Sequence, residues 1–523
     1  MSSDISATGA LPTPPAAGSV TSVPDRARGF TWLAAIGIGA AILIMIAASL
    51  VRGGWMLPHL PMPAAGPPWE LPVKQVSVDV VTVGLWLAAL LGAGGVAAGL
   101  LAIARGARPS PRMLIITGVI VVAVLTVLPP AGSTDALDYA TYGRLLALGH
   151  NPYTTAPVLL RNAHNAFAKS VPLVWDHYVS VYGPVASMEQ FLAAKLGGAS
   201  AARITFWLKL WNSAAFLLVV AVLDRLLRSD PARRLRAHLL WTLNPLLLWD
   251  LVAAGHLDVL AAAAGLLALV VLGKQAESGW PPLPRVLAAG AFLGLAADIK
   301  INYALFGLGV AWALRRSPAA LAAAAAAALV VLVPSYAAFG MPAVKALAAR
   351  RNEASADNFY RLILPQGWQA HLAVIATLLV IGTALLAMQR LPAGFPGQPA
   401  IRPIIALSAA WLFLWPYQLP WYDTMITVVL VLFPASRLDW LVIVRLTAGT
   451  ISNMPGNPYL PHHHFIRVAD HYAVHVIAPT VLFAAAIGLI VLCLSESWKL
   501  REPDGPPSSA SPDTGEVLMP ATG

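Results

Sequence analysis

Charge is what this sequence lacks most: Asp, Glu, Lys and Arg make up 11% of its 523 residues, against about 25% in an ordinary soluble protein. So few charges cannot cover a solvated surface, which excludes a soluble enzyme. Cysteine is nearly absent as well. The single thiol, Cys493, lies inside the last apolar run, so no intramolecular disulfide can form and the redox compartment stays undetermined. A concentrated basic stripe is also missing. The net charge is +10, yet Lys and Arg are scattered between apolar segments without interleaved aromatics, so nucleic acid is not expected as a partner. What is present is apolar: 58% of the chain is hydrophobic, enough for about fourteen spans of roughly 20 residues. The expected fold class is an all-α polytopic membrane protein with a single membrane body and about twelve to fourteen transmembrane helices.

Residues 1–25 and 502–523 are rich in Ser, Thr, Pro, Ala and Gly without apolar periodicity, and both are expected to be disordered cytoplasmic tails flanking a body at 26–501. The first apolar run, 31–51, follows Arg26 and Arg28 and is too long for a signal-peptide core, so it reads as a retained anchor. Further spans are expected at 78–104, 112–130, 203–226, 238–254, 257–273, 285–299, 301–314, 318–338, 371–388, 402–417, 421–435, 439–454 and 473–495. Short basic loops, among them Arg105/Arg108/Arg112, Arg225/Arg228/Arg233/Arg234/Arg236, Arg315/Arg316 and Lys499/Arg501, fall on one side, which the positive-inside rule makes cytoplasmic. The protein is then expected in a bacterial plasma membrane with both termini inside. Three larger loops, 131–202, 339–370 and 455–472, lie outside and hold most of the polar chemistry. The first is amphipathic, with helices expected near 136–149 and 185–197. The alanine-rich stretch 319–328 sits within a span, where small residues let helices approach closely. No internal repeat of the transporter kind is evident.

The first outer loop opens with Ser133-Thr134-Asp135-Ala136-Leu137-Asp138-Tyr139, directly after Pro129-Pro130. On a helix Asp135, Asp138, Tyr139 and Tyr142 share one face and can act on one substrate. Capping is the competing reading, with Asp135 at the N-cap and Asp138 at the third helical position. Gly143-Arg144 and Leu148-Gly149-His150-Asn151-Pro152-Tyr153 follow, a helix stopped by Gly and Pro.

The pattern Asp135-x3-Tyr139-x3-Gly143-Arg144, with Gly149-x-Asn151-Pro152-Tyr153 after it, resembles the first outer loop of GT-C glycosyltransferases that use polyprenyl-phosphate sugars. It is most similar to the actinobacterial α-1,6-mannosyltransferases of lipomannan and lipoarabinomannan synthesis. Tyr182-Gly183-Pro184, Asn244-Pro245 followed by Gly255-His256-Leu257-Asp258, Lys300 and Pro420-Trp421-Tyr422 extend the resemblance in order over roughly residues 110–460. Leu257 stands where the family usually has Asn. The resemblance implies a GT-C-like fold with the active site on the outer face. It also implies a polyprenyl-phosphate sugar donor, mannose before arabinofuranose or glucose, and a glycan or glycolipid acceptor. Asp135 is implied as the base that takes the acceptor's proton, with Asp138 beside it, and inversion by single displacement.

The departing phosphate needs fixed cations near the interface. Arg144, His256, Lys300 and Arg361 are the candidates, with Tyr139, Tyr182, Asp258, Trp421 and Tyr422 as further donor or substrate contacts. Each has a structural alternative. Arg144 can snorkel to lipid headgroups, His256 and Asp258 can bond each other in a turn, and Lys300 can pair with Asp298 inside the membrane. Trp415, Trp421 and Tyr422 can be interfacial anchors instead of sugar platforms. Lys345, Arg350, Arg351, Glu353, Asp357 and Arg361 read first as a solvated face, and second as contacts to the donor phosphate or to anionic membrane lipids. No cofactor is implied. His462, His463, His464, Asp470, His471 and His475 leave a divalent metal as an alternative to a polar loop. A polytopic transporter or lipid-linked-saccharide flippase is the rival function, but it predicts polar residues near mid-membrane, whereas these motifs cluster at one face.

Overall fold

The computed structural model describes residues 25–51, 60–71, 76–163, 165–273, 281–391, 398–454 and 463–495. The two tails, Lys499/Arg501 and His462 therefore lie outside the described residues, as does most of the loop segment before His463. Among the described residues the regular elements are all helices. Six are long and apolar enough to cross a membrane: Arg26–Leu50, Val78–Ala104, Ala201–Leu226, Pro318–Phe339, Leu372–Arg390 and His464–Leu494. The pair Pro231–Ala253 and Asp258–Leu272 bends by 114° at its break and adds a seventh crossing when counted as one broken span. Shorter apolar helices at Pro111–Val127, Ile301–Leu314 and Ile401–Leu414 pack against the long ones. The chain is a multi-pass helical membrane protein.

Local chemistry starts these helices where the sequence places its prolines and hydroxyls. Pro111, Pro184, Pro231 and Pro318 each occupy the first turn, where a missing N–H costs nothing. Ser200 and Ser317 accept the N–H of Arg203 and Ala320 as caps. Small residues then set the spacing between helices. A Cβ at Gly290 would stand 2.2 Å from the Ala324 carbonyl oxygen, so the alanine-rich stretch is the seam against which helix Leu283–Ile299 packs.

Two expected spans are interrupted. Segment 238–254 consists of wide helical turns, His238–Thr242 and Leu248–Ala253, on either side of Asn244-Pro245. Pro245 breaks the ladder, and the Asn244 side chain accepts the Leu246 N–H at 3.1 Å. Segment 421–435 begins as a tight turn, Pro420–Asp423, and continues only as helix Thr424–Leu430.

The segment between Pro111–Val127 and Ala201–Leu226 folds over the ends of these helices. Its two main helices, Asp135–Ala147 and Pro184–Gly197, lie where amphipathic helices were expected and pack on each other. They meet at Gly143, where a Cβ would lie 2.1 Å from the Gln190 carbonyl oxygen.

Arg236, read from sequence as one of a basic loop, is buried instead. Its guanidinium donates to both Asp439 oxygens at 2.7 and 2.6 Å, and to the Phe433 and Leu430 carbonyls at 2.9 and 3.1 Å. Removing one partner of a buried pair strands the other charge, at a cost of about 3–5 kcal/mol. Arg236→Ala is therefore expected to lower the thermal unfolding midpoint of the detergent-solubilised protein sharply, and the double change Arg236→Met/Asp439→Leu to recover most of it. An unchanged midpoint for the single variant would contradict this role.

Candidate active site

The site assembles where helices are interrupted. Helix Asp135–Ala147 begins at Asp135 after an N-cap at Thr134, and the Asp135 N–H donates to Ser133 Oγ at 3.1 Å. Asp135 is thus the first helical residue, not the cap, and its carboxylate faces across to the break in the bent pair. There Gly255, with φ +73°, turns the chain, and His256 presents Nδ1 to Asp135 Oδ2 at 3.7 Å and to the Tyr139 hydroxyl at 3.2 Å. The buried imidazole stacks on Trp421, with ring centroids 3.6 Å apart and planes 17° apart.

Lys300 sits in extended backbone between helix Leu283–Ile299 and the turn Ile301–Tyr303. Its ammonium donates to both oxygens of Asp258 at 2.8 and 2.6 Å and lies 4.1 Å from the centroid of the Tyr422 ring. The expected alternatives of a Lys300–Asp298 pair and a His256–Asp258 bond are both corrected by this geometry. Asp298 instead accepts the Val185 N–H at 2.9 Å and the Ser335 hydroxyl. This holds the Tyr182-Gly183-Pro184 turn, where a Cβ at Gly183 would fall 1.4 Å from the Asp298 carbonyl oxygen. The Asn151-Pro152-Tyr153 element anchors the same turn, since the Tyr153 hydroxyl donates to the Tyr182 carbonyl at 2.8 Å.

A cavity of about 380 Å³ opens in front of Asp135, within the range of small-molecule sites. Asp135, Asp138, Tyr142, Tyr182, Lys300, Trp421 and Tyr422 line it. Tyr139 lies beneath, and Asp258 stands behind Lys300. Arg144 and Arg361 are not among the lining residues: Arg144 donates to the Gly198 carbonyl at 3.3 Å and Arg361 to that of Ala356 at 3.3 Å. Arg350 and Glu353, which sequence reasoning left on a solvated face, line it instead as an ion pair. Their Arg-x-x-Glu spacing, one turn apart, was the available signal. Trp421 is buried and Tyr422 faces the cavity, so neither is a simple interfacial anchor.

Burial raises both carboxyls. It pushes Asp135 up to about 6, against the pull of the Lys300 ammonium and the Ser133 hydrogen bond. Burial, reinforced by the charges of Asp135 and Asp176, raises Asp138 well above the ordinary carboxylate range. Among the described residues no three His, Cys, Asp or Glu side chains gather as a metal site. His463 instead lies 3.6 Å from Asp79, and His475 3.9 Å from Asp470.

Two side chains of helix Ala201–Leu226 hold the breaks in register. Buried Lys209 donates to the carbonyls of Leu125, Leu128 and Pro129 at 2.6, 2.8 and 3.3 Å, fixing the chain that leads into Asp135. Asn212 donates to the Gly255 carbonyl at 2.8 Å, one residue before His256.

Fold and site together define a multi-pass helical membrane protein with a carboxylate, imidazole and amine chamber built at helix breaks. Residues 34–316, more than half of the chain, match the family model described as the N-terminal domain of α-(1→6)-mannopyranosyltransferases, and the chain belongs to that family. The match includes Asp135, His256, Asp258 and Lys300. The chain is 28% identical over 315 residues to α-(1→6)-mannopyranosyltransferase B of Corynebacterium glutamicum, across 56% of this chain and 50% of that one. It is 27% identical over 164 residues to a probable α-(1→6)-mannopyranosyltransferase of Mycolicibacterium smegmatis, across 31% of this chain and 29% of that one. The chain thus spans half or less of the length of these curated relatives. Among solved structures, ArnT from Cupriavidus metallidurans bound to undecaprenyl phosphate aligns over 73% of this chain and 76% of its own, with 15% identity and a TM-score of 0.39.

Lys209→Met should leave three buried carbonyls short of a donor, at about 1–3 kcal/mol for each group left unsatisfied. The expected result is a lowered unfolding midpoint together with weakened activity, because the approach to Asp135 is released. A variant of unchanged stability and activity would remove Lys209 from this role.

Proposed function

We propose that the chain is a polyprenyl-phosphate-dependent mannosyltransferase of the GT-C type, working on the outer face of the plasma membrane and adding mannose to a glycan or glycolipid acceptor in α-1,6 linkage. The observation that carries this reading is the Asp135 carboxyl, raised to about 6 by burial, facing the cavity beside His256 and Lys300. A carboxyl with that value is largely ionised at neutral pH, yet basic enough to take a proton as a bond forms.

In the proposed step the acceptor hydroxyl oxygen attacks the anomeric carbon while the bond from that carbon to the phosphate oxygen breaks. The hydroxyl proton passes to Asp135, and the bonding electrons leave with the phosphate. Attack from the face opposite the leaving group inverts the centre, so a β-linked donor gives an α-linked product. Lys300, fixed by Asp258 and Tyr422, is the nearest cation for the growing phosphate charge. Tyr139 bonds His256 beside the Asp135 carboxylate, and burial raises Asp138 well above the ordinary carboxylate range.

The orientation rests on the basic residues at and beyond the far helix end. Arg225 and Arg228 lie at the far end of helix Ala201–Leu226, roughly 39 Å from the end that meets the loop helices. By the positive-inside rule those arginines face the cytoplasm, which supports an outer-side cavity and loop 131–202 and cytoplasmic termini. The proposed body at 26–501 then works as one unit.

Purified protein given polyprenyl-phosphate-mannose and a short α-1,6-mannan should extend that acceptor. Transfer only from a nucleotide sugar, or none from a folded sample, would overturn the proposal. Asp135→Asn is expected to lower turnover by about 10²–10⁴-fold, and Asp138→Asn by much less.

The pH profile provides a separate check. The base must be ionised to act, so kcat/KM should fall as pH drops through about 6. A rate flat between pH 5 and 7 would remove Asp135 from the role of base.

A further inference from the structure

We infer that the cavity is divided, with the acceptor saccharide seated against Trp175 and Tyr178 of the first outer loop and the donor phosphate at Lys300. This rests on the transferase reading and deepens it by assigning the second substrate a place.

Two linked clusters of lining residues support the division. Around Lys300 stand Asn302, Trp421 and Tyr422, with Asp135 in the same wall and Asp258 buried behind the ammonium it binds. The Asn302 carbonyl oxygen is buried without a partner. At the other end Tyr178 bonds through its carbonyl to the Tyr142 hydroxyl at 2.9 Å. Its ring centroid lies 5.7 Å from that of Trp175, and the Arg350 guanidinium covers one of its faces at 4.0 Å.

Arg350 is matched by Glu353, and Asp138 adds a further acid, so this end offers no net positive charge to a phosphate. An uncharged, hydroxyl-rich saccharide suits the same surface. Carboxyl oxygens accept its hydroxyl protons, and Asp138 Oδ1 is buried without a partner while its residue lines the cavity. The C–H faces of a pyranose match the aromatic rings, and Tyr178 is 45% exposed although it belongs to the cavity wall. Asp135 lies in the wall on the same helix as Asp138 and Tyr142, where a hydroxyl of a sugar so held can reach it.

The test combines kinetics with direct binding. Tyr178→Ala and Trp175→Ala are each expected to raise the KM for a short α-1,6-linked mannose oligosaccharide by about five- to tenfold, the loss of one ring contact, while the KM for polyprenyl-phosphate-mannose stays unchanged. A rise in the donor KM instead, or no change in either, would overturn the division.

If the unsubstituted protein transfers no mannose at all, the transferase reading fails and binding decides the inference alone. The same oligosaccharide, titrated into the full chain in detergent without donor, should perturb the intrinsic tryptophan fluorescence, and Trp175→Phe should abolish that signal. Absence of the signal from the unsubstituted protein, or its persistence in Trp175→Phe, would refute the site.

Discussion

A carboxyl group at the rim of a hydrophobic bundle is useful to chemistry only if burial raises its proton affinity without silencing its charge. Asp135 sits at that balance. Packing removes most of its water, which favours the neutral acid, and the Lys300 ammonium and the Ser133 hydrogen bond pull the other way. Asp138, one turn along, is raised well above the ordinary carboxylate range by burial, with Asp135 and Asp176 as negative neighbours. Two identical functional groups in one loop are thereby given different properties by their surroundings alone.

That balance depends on helices ending where they do. Regular helix satisfies its own backbone and presents side chains outward, so convergent chemistry in a helical bundle collects at interruptions. Each interruption here is stabilised by a group that the chemistry does not use. Lys209 takes the loose carbonyls after Pro111–Val127, and Asn212 takes the carbonyl of Gly255. Asp298 binds the backbone after Gly183. Arg445 donates to Asp423, Gln418 and the Leu412 carbonyl around the turn that carries Trp421 and Tyr422. Unpaired polar backbone at these points would be expensive in an apolar interior, so these buried charges hold the breaks open as well as closing hydrogen bonds.

Much of this was legible in the sequence. Apolar runs marked the helices, and Asp135, Tyr182, His256, Lys300 and Tyr422 converge although they are far apart in the chain. The partners of the charges were less legible. Asp298 and Lys300 are two residues apart, which suggests a pair, but the helix ends between them and Lys300 turns away in extended backbone toward Asp258. Arg144 and Arg361 carry the right charge on the right loops but meet backbone carbonyls, of Gly198 and Ala356, away from the cavity lining. Arg350 reads as solvated in a charged run, and only the fold brings Tyr178 from another loop beneath it.

The same reasoning explains why aromatic residues dominate the chamber. A cation or carboxylate at the membrane edge needs neighbours that exclude water without competing for hydrogen bonds, and ring faces do this while still tolerating charge. Trp421 covers the imidazole of His256, Tyr422 covers the Lys300 ammonium, and Tyr182 meets Tyr139 edge to face at 5.0 Å. Aliphatic side chains in these positions would exclude water equally well but would leave the ammonium with Asp258 as its sole favourable contact. The aromatic wall therefore excludes water around Lys300 and Asp135 while giving the ammonium a ring face to meet beside its Asp258 bond.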